Sequence, residues 1–411
     1  MTPVEKYLLN YAEPALSLTE KLDGEWQQVI CIPAYDEAEL LPDLIERLVQ
    51  EAGLLCILVC NSPDTPTPAA LEAEKRTRQL ATTLRQRYSE CRSLNPQASL
   101  LRLNQSGSDL LLLEHYGLPA KQGVGLARKI ACDLACRLIA AGRVQSRWIH
   151  NTDADVGLPG DYFQIEPETS AAAAIYPFRH APNPDPLLQQ GLQAYDYGLH
   201  YYLAGLRWAN SPYAFYTIGS TLLINHHHYA MARGFPKRSG GEDFYLLNKL
   251  AKLGNIQLLQ SMPLRLSGRA SQRAPFGTGA AVSRFSQSDT RPTDYPYYHP
   301  RCFTALKHCL QLLPSLSRPG KWQDLFDDER LVFCLEELGL EKAVAHARRH
   351  GTTPERFLKH LHDWFDAFRT LRLIHLLRDN GLGSLTYADL QRLKNEYAFI
   401  EAANQLAAPE Y

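Results

Sequence analysis

The chain predicts an α/β protein with a mostly parallel sheet flanked by helices, followed by an all-helical C-terminal domain. Three observations carry this. Short apolar, β-branched runs pass through turns into segments of helical spacing, the βαβ rhythm of a parallel sheet. Two of those runs end in loops bearing carboxylates, at the strand ends where open parallel sheets bind ligands. Beyond residue 301 the apolar patterns are helical throughout. The boundaries drawn are an N-terminal extension at 1–27, a sheet domain at 28–267, a flexible loop and linker at 268–300 and a helical domain at 301–411.

The first strand begins at Gln28 and ends in Ile32-Pro33-Ala34-Tyr35-Asp36-Glu37. A helix follows with Leu40, Leu41, Leu44, Ile45 and Leu48 at helical spacing. Residues 54–61 (LLCILVCN) give a second strand. The turn-rich SPDTPTPAA then opens a long helix carrying Leu71, Leu80 and Leu84 on one face. A helix over 125–141 leads to a short strand at 148–150 and to the loop Asp153-Ala154-Asp155. Residues 171–178 (AAAAIYPF) are strand-like, 187–208 helical, 215–225 (FYTIGSTLLIN) a strand and 242–253 helical. The stretch 267–300, rich in Ser, Arg, Gly, Pro and Thr, reads as a long loop. Among the later helices, 357–379 is the clearest amphipathic segment.

Composition narrows the function classes. Among 411 residues, 43 Lys and Arg face 44 Asp and Glu, a net charge of −1, so no basic excess is available to hold nucleic acid. The nine cysteines include no Cys-x-x-Cys pair and several lie in apolar runs, which fits a reducing cytoplasm. The N-terminus has no signal-peptide pattern, and apolar runs such as 110–113 are far shorter than the roughly 18 residues of a membrane span. A cytoplasmic protein that does not cross a membrane is expected.

The Asp153 and Asp155 pair projects from a strand end, and two carboxylates suit a hard cation such as Mg²⁺ or Mn²⁺ while leaving positions for a diphosphate. A lone D-x-D arises by chance in a chain of this length and equally describes a solvated turn. Here it stands in an ordered set: Pro33-Ala34-Tyr35-Asp36-Glu37, then Gly123-Val124-Gly125-Leu126-Ala127-Arg128, then Asp153-Ala154-Asp155, then Gly240-Gly241-Glu242-Asp243. In order and spacing this set resembles the family 2 glycosyltransferases, whose Rossmann-like GT-A fold carries P-A-Y-N-E, G-x-G-x-A-R-N, D-A-D and a later G-E-D. The resemblance covers roughly residues 28–267.

The resemblance implies a glycosyltransferase that moves a sugar from a nucleotide-diphosphate donor to an acceptor hydroxyl, dependent on Mg²⁺ or Mn²⁺ and inverting. It implies that Pro33, Ala34, Tyr35 and Glu37 line the nucleotide pocket, that Asp153 contacts the nucleotide sugar, that Asp155 with Asp153 holds the metal, and that Asp243 is the catalytic base. Asn61 stands where the family carries an acidic base-reading run, and Lys129 replaces the Asn of its G-x-G-x-A-R-N stretch. Lys129, as a cation in that place, reads as a phosphate contact or as solvated, and Arg128 reads equally as a functional residue of the nucleotide site or as a structural one. Arg269 and Arg273, spaced along a Gly-containing segment, read as bidentate diphosphate contacts on a closing loop or as part of a linker. The alternative is a degenerate relative that binds a nucleotide sugar or a partner without turnover.

Other clusters carry blander readings. His226-His227-His228 is taken as strand-end surface, since consecutive strand residues face alternate ways. Cys132 and Cys136 are core, and His299 is too far along the chain for a third metal ligand. The aromatic stretch from Tyr195 to Tyr216 suits either a sugar ring or a domain-interface core. The helical C-terminal domain could shape the acceptor site or a homodimer interface. A helix N-terminus is expected to keep Asp243 ionised and a weak base.

Overall fold

In the computed structural model, residues 1–65, 67–271, 277–287 and 291–408 are described. The chain divides into two compact units, Met1–Pro182 with Thr217–Gly279, and Asn183–Tyr216 with Ala280–Tyr411.

The first unit is built on a nine-stranded sheet. Its strands are β1 (Gln28–Ala34), β2 (Leu54–Pro63), β3 (Ser89–Asn95), β4 (Ala98–Arg102), β5 (Asp109–Leu118), β6 (Trp148–Asn151), β7 (Ala171–Ile175), β9 (Leu222–Asn225) and β10 (Asn255–Leu258), with the short β8 (Phe178–His180) and β11 (Leu264–Leu266) paired apart from them. The order is β10-β7-β9-β6-β1-β2-β5-β4-β3. Only β4 and β9 run against the other seven strands, so the sheet is mostly parallel. β1 and β2 are buried on both faces, as their unbroken apolar runs require. The apolar run at 110–113 is the core of β5, between β2 and β4.

Helices α1 (Pro3–Asn10), α2 (Leu41–Val49), α3 (Pro68–Arg87), α4 (Gly123–Ala140), α6 (His226–Met231) and α7 (Glu242–Leu250) accompany the sheet. α4 packs on β1, β2 and β6 and is buried on nearly every side, so Cys132 and Cys136 are core. Two expectations are corrected. The strand drawn over 215–225 is confined to β9, after a 3₁₀ turn at Gly219–Thr221. His226, His227 and His228 form the first turn of α6 rather than a strand end, because the Asn225 side chain accepts from the His227 amide at 3.0 Å and caps a helix there.

The N-terminal extension is bound into this unit by a buried polar cluster. Lys129 Nζ donates to the Tyr7 hydroxyl at 2.5 Å and pairs with Asp133 at 3.1 Å. The Tyr7 and Tyr229 hydroxyls and the Glu13 amide all donate to the Asp133 carboxylate. Lys129 is therefore neither a phosphate contact nor a solvated cation.

The second unit holds α5 (Pro186–Trp208), α8 (Thr278–Gln287, which begins at the unit boundary), α9 (Pro300–Leu312), α10 (Glu329–Glu337), α11 (Leu340–His350), α12 (Pro354–Trp364), α13 (Ala367–Asp379), α14 (Tyr387–Arg392) and α15 (Phe399–Ala407). The expected linker at 268–300 thus contains a helix. α5, drawn in the sheet domain from sequence, clusters with the C-terminal helices because its aromatic face packs there. Tyr197 meets Tyr297, and Tyr201 meets Phe303 and Phe399. The amphipathic run 357–379 is two helices, broken where Asp366 caps α13 by accepting from the Arg369 amide at 3.1 Å.

The Lys129 cluster generates a prediction. Asp133→Ala leaves a buried ammonium without its counter-charge and lowers stability by about 3–5 kcal/mol. Tyr7→Phe, which removes one hydroxyl from the same cluster, costs about 1–3 kcal/mol. Both are read as shifts of the urea midpoint at unchanged slope.

Candidate active site

Strands β2 and β6 flank β1 on opposite sides, so the direction of sheet growth reverses at β1 and its carboxyl end opens beside that of β6. Pairing of β1 with β6 ends at Cys31, and Pro33 falls two residues later, where its missing N–H leaves that ladder intact. Pro33 and Ala34 are buried and Tyr35 is half-buried. Asp36 has φ 59°, an uncommon backbone for a non-glycine residue. Its amide donates to Thr77 Oγ1 at 3.0 Å, and Arg76 forks onto its carboxylate at 2.6 and 2.9 Å. Asn61 on β2 donates to the Ala34 and Val59 carbonyls at 3.2 and 3.1 Å, so its amide group steadies the end of β1.

Arg128 lies on α4 with 4% of its side chain exposed. It pairs with Asp153 at 2.6 Å and with Glu242, itself buried, at 2.9 Å. Burial works against its charge, and the two carboxylates outweigh burial and hold the guanidinium above its usual range. Space for the group depends on Gly219, where a Cβ would stand 2.6 Å from Arg128 Nη2. Arg269, beyond β11, pairs with Asp155 at 3.0 Å and donates to Glu37. Arg273 lies outside the described residues.

Asp243 sits half-buried in the first turn of α7 and accepts from the Phe244 amide at 2.7 Å. Burial, with the Glu242 charge beside it, pushes its carboxyl up to about 7. The helix N-terminus was expected to keep it ionised and weakly basic, but desolvation dominates. Glu242 is committed to Arg128, which leaves Asp243 as the carboxylate of the pair able to exchange a proton near neutral pH.

The predicted residues, with Glu242, thus form two triads of alternating charge, Glu242-Arg128-Asp153 and Asp155-Arg269-Glu37. Counting Asp243, five carboxylates face two guanidiniums, a donor set that suits a hard divalent cation in charge and in oxygen chemistry. Asp153, with 37% of its side chain exposed, and Asp155 with 18%, are the residues that would hold it. Among the described residues no group of three or more His, Cys, Asp or Glu is arranged about an ion, so bound phosphate and water would have to complete the coordination.

His299 belongs to the second unit, where its Nδ1 accepts from the Arg301 amide at 3.1 Å as the cap of α9. Tyr197 and Tyr201 are buried in the core of that unit, and Tyr213 is buried with its hydroxyl donating to the His362 carbonyl at 2.9 Å. Two features escape the sequence: the commitment of Glu242 to Arg128 and the Arg269 bridge to Glu37, each joining residues more than a hundred positions apart. No family model matches the chain, and none of the curated proteins is similar to it. No helix of the described residues is long and apolar enough to cross a membrane.

Arg128→Met strands the buried Glu242 carboxylate and lowers stability by about 3–5 kcal/mol, whereas Arg128→Met with Glu242→Leu recovers most of that loss. Chemical denaturation of the three proteins reads both effects. Asp243 adds a pH signature: its folded carboxyl binds a proton more tightly than the unfolded one. Relative to Asp243→Asn, the protein therefore loses stability as pH rises from about 4, the ordinary carboxyl value, toward 7, in denaturation series at stepped pH.

Proposed function

We propose that this chain is a glycosyltransferase of the GT-A type resembling family 2, which transfers a sugar from a nucleotide diphosphate to an acceptor hydroxyl with inversion. The observation that carries the reading is the pairing of a protonatable Asp243 with an acidic, arginine-laced cleft at the switch point of the sheet. Asp243 takes the acceptor proton as the hydroxyl oxygen bonds to the anomeric carbon. The bond from that carbon to the diphosphate oxygen breaks, and the nucleoside diphosphate leaves with the electron pair. Arg269 offers a guanidinium to the charge that develops on the leaving group. A divalent ion held by Asp155 and Asp153 would supply further neutralisation of the diphosphate. Pro33, Ala34, Tyr35, Glu37 and Asn61 shape the nucleotide side of the cleft.

One observation favours a second reading. Asp153 and Asp155 are each already met by an arginine, as in a degenerate relative that binds a nucleotide sugar without turnover. Divalent-dependent hydrolysis of UDP-, GDP-, ADP- and dTDP-sugars separates the two. Release of nucleoside diphosphate supports the enzyme, and binding without release over long incubation supports the alternative.

With a cognate acceptor, turnover rises with pH through about 7 and levels above it, since the ionised form of Asp243 is the base. Asp243→Asn cuts kcat by about 10²–10⁴-fold, abolishes that limb and spares donor Kd. Asp155→Asn abolishes Mn²⁺-dependent nucleotide-sugar binding in calorimetry while leaving the fold intact. Arg269→Ala removes a competing cation worth about 1 kcal/mol, so Mn²⁺ alone binds about fivefold tighter while the nucleotide sugar binds more weakly.

A further inference from the structure

α11 and α12 are joined by Gly351-Thr352-Thr353. Gly351 permits the tight return, for a Cβ there would fall 2.6 Å from Phe357 Cα, and Thr353 caps α12 by accepting from the Arg356 amide at 3.3 Å. This hairpin gathers three imidazoles. His346 and His350 stand one turn apart on α11 with ring centroids 4.5 Å from each other. His360 on α12 brings its ring to 5.4 Å from that of His346 and 6.5 Å from that of His350. His346 and His350 are exposed and His360 is half-buried. None of the six ring nitrogens hydrogen-bonds to another described residue.

Two of those spacings are close to what a shared ion requires, and the third must shorten. With metal to nitrogen at about 2.0–2.1 Å and the ring centre about 1.1 Å further, each centroid lies about 3.2 Å from the ion, and tetrahedral directions separate centroids by about 5 Å. The 4.5 and 5.4 Å distances lie near that value, and the 6.5 Å between His350 and His360 has to close by more than an ångström. The nitrogens do not yet converge on one point. His346 and His350 are exposed, and exposed side chains change rotamer in picoseconds to nanoseconds, so side-chain torsions on α11 can bring their rings toward His360. Neutral imidazoles select borderline transition metals over Mg²⁺ or Mn²⁺, which separates this cluster in chemistry from Asp153 and Asp155. The run on α6 is a poorer competitor, because neighbouring helical residues diverge by about 100° and His226 Nδ1 already lies 3.1 Å from the Arg147 carbonyl.

We propose that His346, His350 and His360 form a transition-metal site of the Zn²⁺ class, with water as the fourth ligand, that cross-links α11 to α12. The proposal is independent of the glycosyltransferase reading. It is tested by calorimetric titration of ZnCl₂ into the full chain carrying Asp155→Asn, which removes the carboxylate site. One Zn²⁺ binds, and His346→Ala, His350→Ala and His360→Ala each weaken it by at least the about 10–100-fold that loss of an outer-shell partner costs in known sites. His227→Ala leaves the affinity unchanged. Zn²⁺ raises the thermal midpoint of the parent and not that of His360→Ala, each compared with its own midpoint without metal. Unaltered affinity in His360→Ala reduces the site to an α11 pair and overturns the proposal. Loss of binding in His227→Ala, or no Zn²⁺ binding by the parent, overturns it as well.

Discussion

A guanidinium taken out of water costs several kcal/mol unless carboxylates meet it, and Arg128 is met by two from opposite directions. Asp153 comes from the loop after β6, Glu242 from the first turn of α7, and Arg128 from α4 under the sheet. Each position is determined by the others, because moving any one strands a buried charge. The requirement extends to residues with no charge: Gly219 must lack a side chain for the group to fit.

Once Glu242 is spent on Arg128, its neighbour inherits a different environment. Asp243 shares the helix turn and the burial without sharing the partner, so its carboxyl is pushed toward neutrality. The same division recurs at the other end of the cleft, where Arg269 ties Glu37 to Asp155. A site of alternating charges can receive a cation or a diphosphate by exchanging one ion pair for another, without burying any charge alone. The proposed transfer chemistry builds on that exchange.

The helical unit obeys a different economy. Its core is aromatic, with Tyr201, Phe303 and Phe399 in edge-on and tilted contacts, and the Tyr201 hydroxyl reaches the Tyr298 carbonyl at 2.8 Å. Asp366 is buried with its carboxylate capping α13 and His375 meets the Tyr298 hydroxyl at 2.8 Å, whereas His346, His350 and His360 keep their nitrogens unspent.

Much of this was legible in the sequence because it is local. The periods of the apolar residues located β1, β2, α2, α4 and α5 to within a few positions, and carboxylates at strand ends marked the cleft. The strand β5 hid in the run 110–113 because four leucines have no period that separates strand from helix. The histidines on α6 were misplaced because a cap at Asn225 outweighs β propensity. Tertiary structure alone decided which carboxylate of Glu242 and Asp243 is paired and which is proton-active, that Lys129 is locked to Asp133 and Tyr7, and that α5 joins the helical unit. Each of these rests on a contact between residues distant in the chain, Arg128 with Glu242, Lys129 with Tyr7 and Tyr201 with Phe399, and sequence spacing carries no term for that distance.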